Sequence, residues 1–257
     1  MSAIRALAAY APPPLRRALS GLWLDIKSLP TRRRGDPWSV IHNVGNGDHY
    51  AIGLQAVGWL KTYAGLKPGD AVLDIGCGTG RMAHHLTDHP YTGFDLAKAA
   101  IAMCQRRYPK LNFVHLDVWN GDYNRTGSIA EDKVAFPAED ASVDVAFAMS
   151  VFTHMRFGAM SHYLREAVRV LKPGGRFAFT AFSPREAANP LFDFQPYDAT
   201  SSVVDARSPE RAIAHDHDAL AGAIAAAGLK LVSFHRGAWA APADYDGGQD
   251  LWVVAKA

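Results

Sequence analysis

The sequence predicts an α/β fold: a doubly wound, mostly parallel sheet with an antiparallel C-terminal strand, preceded by a helical N-terminal extension. Three observations carry this reading. From residue 71 onward, short apolar runs alternate with helical patterns, as in a parallel sheet covered on both faces. The first of these runs passes directly into the glycine-rich turn Gly76-Cys77-Gly78-Thr79-Gly80. The last two runs, 229–235 and 251–255, follow one another as a strand pair.

Residues 1–54 read as a separate helical arm and loop, and 55–257 as the main domain. Leu15, Leu19, Leu22 and Trp23 recur at helical spacing, with Arg16 and Arg17 opposite, so an amphipathic helix is expected over 15–24. Arg32-Arg33-Arg34 follows. Such an arm suits either a solvated face packed on the main domain or a weak contact with a membrane surface. Glycines and asparagines mark 42–48 as a loop, and His42 and His49 at its flanks are candidates for a lid. A helix is expected over 54–63.

Strands are expected at 71–75, 91–94, 111–115, 143–149 and 176–182. Helices are expected near 81–87, 98–107 and 161–171, and Pro173-Gly174-Gly175 turns the chain into the fifth strand. Residues 118–134 form a polar insertion and 183–214 a loop-rich stretch. Asp216 is placed to cap a helix over 217–227, whose alanines are strong helix formers. The run His215-Asp216-His217-Asp218 resembles a metal site in composition, but the capping role explains it better, and no metal is expected.

A chain of 257 residues, 49% hydrophobic and 20% charged, suits a soluble domain with a sizeable core. Its formal net charge of +2 points to neither a nucleic-acid binder nor an acidic-surface binder. The two cysteines, Cys77 and Cys104, form no disulfide framework, and Pro12-Pro13-Pro14 interrupts any leader-like stretch. A reducing, cytoplasmic setting is expected.

The glycine spacing carries the chemistry. A dinucleotide fingerprint needs its third glycine where Arg81 stands; here it comes one residue early, and Asp74 precedes the turn. Glycines let the backbone approach a ligand at the carboxyl end of the first strand. A carboxylate beside them suits an ammonium group and would repel pyrophosphate. Asp95 ends the second strand, where an acid accepts from both ribose hydroxyls. Asp117 ends the third and is placed to accept from an adenine amino group, with Val118 beside it as an apolar contact.

At this point the chain resembles the class I S-adenosylmethionine-dependent methyltransferases, whose sheet is Rossmann-like. The resemblance runs through 72–81, 91–95, 136–144, Ser150-Val151-Phe152-Thr153-His154-Met155 and Arg169-Val170-Leu171-Lys172-Pro173-Gly174-Gly175. Gly248-Gln249-Asp250-Leu251 and Val44-Gly45-Asn46-Gly47-Asp48 resemble a bacterial subgroup associated with glycan and cell-envelope pathways. It implies S-adenosyl-L-methionine as cofactor. Asp74, Gly76 and Gly78 would line its methionine part, Asp95 would hold the ribose, and Asp117 with Val118 would frame adenine, with Cys77, Gly80 and Leu96 also among the cofactor-binding residues; Arg81 would either pair with the cofactor carboxylate or face solvent at a helix start. Ser150 would lie near the transferring methyl.

His154, just after the fourth strand, is the candidate general base, since histidine titrates near neutral pH; shaping the pocket or capping a helix is the other role open to it. The acceptor expected is a hydroxyl or amine on a small molecule, glycan or lipid-linked metabolite. Phe192, Phe194 and Tyr197 suit either an acceptor pocket or loop packing, and Trp239 is similarly placed. A nucleic-acid methyltransferase is the alternative, but Met149-Ser150-Val151-Phe152 stands where a base-flipping tetrad belongs, and Asn189-Pro190-Leu191-Phe192 follows the wrong strand. A non-catalytic module that keeps the cofactor site is the third reading.

Overall fold

The computed structural model describes residues 13–30, 37–38, 48–184, 191–240 and 242–256. The run 32–34, His42 and the loop 43–47 lie outside them, as does 185–190 with Asn189 and Pro190. Helix α1 covers Pro13–Ser28 and exposes Leu15, Leu22 and Ile26. Among the described residues, no helix is long and apolar enough to cross a membrane.

Helix α2 spans His49–Thr62, five residues longer at its start than the expected helix over 54–63. Asp48, read as loop from its glycine-rich neighbours, is the reason: its carboxylate accepts from the N–H groups of Tyr50 and Ala51 at 2.9 and 3.0 Å and caps the helix. His49 is therefore a buried first-turn residue. The boundary drawn between 54 and 55 falls inside α2.

Strands β1 (Val72–Ile75), β2 (Tyr91–Asp95), β3 (Asn112–His115), β4 (Val143–Ala148) and β5 (Leu171–Ala181) run parallel. They alternate with helices α3 (Lys98–Arg107) and α4 (Phe157–Val170). Helix α5 (His217–Ala226) leads to β9 (Leu229–His235) and β10 (Asp250–Lys256). The sheet order is β3-β2-β1-β4-β5-β10-β9, with β10 antiparallel to both its neighbours. Chain order reverses between β1 and β4, the switch point at which open α/β sheets bind ligands.

The two faces are read directly from side-chain alternation. Phe177, Phe179, Trp252 and Val254 pack with Met160 and Leu164 of α4 and Leu220 of α5. Ala178, Leu251 and Val253 point the other way, onto Leu60 of α2 and Ile101 of α3. All four β1 residues are buried, so the run is apolar except for Asp74.

Three expectations need correction. The helix near 81–87 is only a 3₁₀ turn, Ala83–His85. Pro90 bars His89 from helical angles, and His84, His85, Thr87 and Asp88 are weak helix formers, so one turn is all that forms. The fourth helix starts at Phe157 rather than 161. The loop-rich stretch holds a small antiparallel sheet of β6 (Gln195–Pro196), β7 (Ser201–Val203) and β8 (Ile213–His215), strands too short to show a period-2 pattern.

Asp250 fastens this small sheet's neighbourhood to the main one. It is buried at the start of β10 and accepts from Ser183 N–H and Oγ–H at 2.9 and 2.8 Å. Its other oxygen accepts from Gly237 N–H and Trp239 Nε1–H, both at 2.9 Å. Removing it strands four buried donors. Asp250→Ala is expected to lose about 3 kcal/mol or more of unfolding free energy, read by urea denaturation; an unchanged midpoint would refute this account of the junction.

Candidate active site

A cavity of about 530 Å³ opens at the carboxyl ends of β1, β2 and β4, at the switch point. Gly76, Cys77, Gly78 and Arg81 line it from the turn after β1, and Asp95 and Leu96 from the end of β2. Val118 follows β3, and Ser150 and His154 follow β4. The structure thus gathers most of the residues singled out by sequence.

The turn is held open by geometry only glycine permits. Gly76 has φ 71°, and a Cβ there would stand 2.6 Å from the Val151 side chain. Gly80, with φ 73°, packs toward Cys104 and Tyr108 and supports the turn from behind; it does not line the cavity. Both Gly76 and Cys77 donate to the Phe94 carbonyl, at 2.9 and 3.0 Å. Asp95 completes the attachment: one carboxylate oxygen accepts from Gly78 N–H at 2.8 Å and the other from Ala97 N–H at 2.7 Å. Each oxygen keeps a second lone pair for a ligand hydroxyl.

Asp74 lies at the foot of the turn, fully buried and off the cavity wall. Tyr91 donates to one of its oxygens at 2.7 Å, while the other is buried without a hydrogen-bond partner among the described residues. Burial pushes its pKa up to about 7, against the lowering effect of Tyr91. Asp117 also lies off the cavity, because Asn124 Nδ2–H and Ser128 N–H take its two oxygens at 3.0 and 3.1 Å. The adenine-facing carboxylate expected there is turned toward the 118–134 insertion.

Ser150 has φ 58°, a left-handed conformation costly for a non-glycine residue. Three hydrogen bonds enforce it. Its N–H donates to Thr180 Oγ1 at 2.8 Å, and its hydroxyl and that of Thr180 both donate to Gln249 Oε1, at 3.1 and 2.6 Å. Thr180 and Gln249 line the cavity, and sequence reasoning assigned neither. Gln249 was visible only as part of a motif with no role attached.

His154 sits in the 3₁₀ turn Phe152–His154. Its Nδ1 lies 2.9 Å from the Glu210 carbonyl, so Nδ1 carries the hydrogen and Nε2 is left as an acceptor. That nitrogen faces the Tyr123 hydroxyl at 3.5 Å. Burial holds the imidazole below the usual histidine range, so the ring is neutral at pH 7. Tyr123, Asn120 and Glu131 also line the cavity from the polar insertion, whose irregular chain gives no sequence period to flag them.

Phe192, Phe194 and Trp239 instead pack around Phe182, with ring centroids 5.0 to 5.3 Å from it, and line no part of the cavity. The same holds for Tyr197. His215 is buried, donates from Nε2 to the Phe152 carbonyl at 3.0 Å, and has its pKa lowered to about 4 by burial. Asp216 caps α5 through Ala219 N–H at 2.8 Å. Among the described residues no cluster of metal-ligating side chains occurs.

Residues 73–179 match the family described as methyltransferase domain. A phthiotriol/phenolphthiotriol dimycocerosates methyltransferase of Mycobacterium ulcerans is 38% identical over 122 residues, covering 45% of this chain and 39% of that protein. A 27-O-demethylrifamycin SV methyltransferase of Amycolatopsis mediterranei is 33% identical over 118 residues, covering 46% of this chain and 40% of that protein. The chain thus spans about two fifths of the length of these curated relatives. The fold is shared with a 1,6-didemethyltoxoflavin-N1-methyltransferase of Burkholderia thailandensis crystallised with S-adenosylhomocysteine. There the TM-score is 0.55 at 19% identity, covering 100% of this chain and 91% of that one. S-adenosylmethionine is the cofactor that the sequence resemblance implies. The residues present fit it: the unpartnered buried oxygen of Asp74 suits an ammonium group, and the Asp95 carboxylate retains acceptor capacity in the cavity.

The raised pKa of Asp74 has a signed consequence for the ligand-free protein. Between the ordinary value of 3.8 and about 7, the folded state keeps a proton that the unfolded state releases. The stability from this carboxyl is therefore full below pH 4 and lost as pH rises through 7. The Asp74→Asn variant is expected to gain on the wild type by on the order of a few kcal/mol between pH 4.5 and 7.5, read by urea unfolding. A constant difference across that window would contradict the assignment.

Proposed function

We propose that the protein transfers a methyl group from S-adenosylmethionine to a hydroxyl or amine of a small molecule, glycan or lipid-linked metabolite. The observation that carries this is the neutral His154, whose Nε2 acceptor opens into the same cavity as Gly76, Asp95 and Ser150. The relatives support a small organic acceptor, one being named for a 27-O-demethyl rifamycin. The exposed Leu15, Leu22 and Ile26 of α1 support a weak contact of the arm with a membrane surface.

In this reading Gly76, Cys77 and Gly78 hold the methionine part by close backbone approach, with Arg81 at its carboxylate and Asp74 behind its ammonium. Asp95, beside Leu96, accepts from the ribose hydroxyls, and Val118 packs on adenine. When bound, the cofactor supplies a sulfonium-activated methyl group. The protein's task is then alignment and proton removal. Ser150, fixed by Thr180 and Gln249, sets the floor beside the methyl position. His154 takes the acceptor's proton on Nε2, while the Glu210 carbonyl keeps the ring in the required tautomer and steadies the imidazolium that forms.

Methyl-labelled S-adenosylmethionine incubated with a panel of hydroxyl- and amine-bearing glycans, polyketides and lipids is expected to label at least one acceptor. With that acceptor, His154→Gln is expected to lose roughly 100- to 10,000-fold in kcat while S-adenosylhomocysteine affinity holds. The wild-type rate should rise with pH and reach half its plateau below about pH 6.5. Full activity in His154→Gln would remove the base from the account.

A further inference from the structure

Asp117 follows β3, where an adenine amino group would be expected to find its acceptor, yet it lines no part of the cavity, and Asn124 and Ser128 each donate to one of its oxygens. The chain after it loops out and returns alongside itself in the same direction. Trp119 N–H donates to the Ile129 carbonyl at 2.7 Å and Ile129 N–H to the Asp117 carbonyl at 2.9 Å, which pairs the returning limb with the residues just past β3. Two-residue alternation then brings Val118 and Asn120 to the cavity from one limb and Glu131 from the other.

Glu131 is held there and still has capacity to accept. Asn120 Nδ2–H donates to its Oε1 at 2.7 Å and also to the His154 carbonyl at 3.1 Å, fixing the carboxylate in position. Its Oε2 makes no hydrogen bond among the described residues. The nearby cation, Arg156, is bonded to Glu210 at 2.8 Å. A half-buried carboxylate with an open oxygen on a cavity wall calls for a ligand N–H.

The strand order says which one. With ribose on Asp95 at the end of β2 and the methyl end near Ser150 after β4, the base extends toward β3, about one strand spacing of ~4.8 Å farther on. That is the wall made by Val118 and Glu131. We propose that Glu131, not Asp117, accepts the hydrogen bond from the exocyclic amino group of the cofactor's adenine. Asn120 is its positioning residue. The proposal rests on the reading that S-adenosylmethionine lies in this cavity with its ribose on Asp95. It makes the polar insertion part of the cofactor site.

The test is calorimetric and needs no acceptor. S-adenosylhomocysteine is compared with S-inosylhomocysteine, whose base carries a carbonyl oxygen where adenine has its amino group. At pH 8.5, where the Glu131 carboxyl that burial pushes up to about 7 is ionised, wild type is expected to favour S-adenosylhomocysteine by about tenfold or more, because a carboxylate facing the inosine oxygen is repelled. Glu131→Gln places an amide that can donate to that oxygen, so the preference should shrink by about tenfold or invert. Glu131→Asp, one methylene shorter, should also reduce it, and Asp117→Asn should leave it intact. An unchanged ratio in both Glu131 variants, including equal weakening of both ligands, would overturn the proposal while leaving the cofactor reading standing. Wild-type protein that bound neither nucleoside would instead overturn the cofactor reading itself.

Discussion

Two backbone N–H groups, those of Gly78 and Ala97, converge on the Asp95 carboxylate at 2.8 and 2.7 Å, and the site is organised around that junction. The glycine turn leaves β1 with positive φ at Gly76, Gly78 and Gly80, and such a chain has many conformations available. Asp95 selects one by fixing Gly78 to the end of β2, with the Phe94 carbonyl holding Gly76 and Cys77 beside it. The carboxylate is buried enough for desolvation to raise its pKa, and the backbone donors oppose that rise. Turn shape, the cavity wall and the ribose acceptor proposed for it therefore depend on one side chain.

Across the switch point the complementary wall is held by strain and its compensation. Ser150 adopts a left-handed conformation because Thr180 and Gln249 bind both its N–H and its hydroxyl. Gln249 can do this because β10 runs antiparallel to β5, pairing Leu251 with Thr180 and leaving Gln249, just before β10, diagonal to Thr180 on the same face. Asp250 anchors that strand start through four donors. The fold thus carries rigidity from a buried carboxylate, through one glutamine, to the residue at the end of β4.

Much of this was legible in sequence, for reasons that differ by residue. Asp95 and the glycine turn could be read because both sit at fixed offsets from a strand end. The positions of the strands along the chain followed from apolar runs bounded by turns. What sequence missed was set by contacts between distant segments: Ser150 and Gln249 meet only through strand pairing, and no local pattern encodes that register. The Asp117 reading failed differently. Asp117 falls just past β3, and Asn124 and Ser128, within the insertion that follows, bind its oxygens and hold it off the cavity. The helix expected over 81–87 was lost to Pro90 and to residues with weak helical preference.

The most direct test of the central claim is a crystal structure of the protein with S-adenosylhomocysteine. The account predicts the ligand along Gly76 to Gly78, its ribose hydroxyls on Asp95, and its base against Val118 after β3. A ligand bound elsewhere, or one in this cavity whose ribose makes no contact with Asp95, would contradict it.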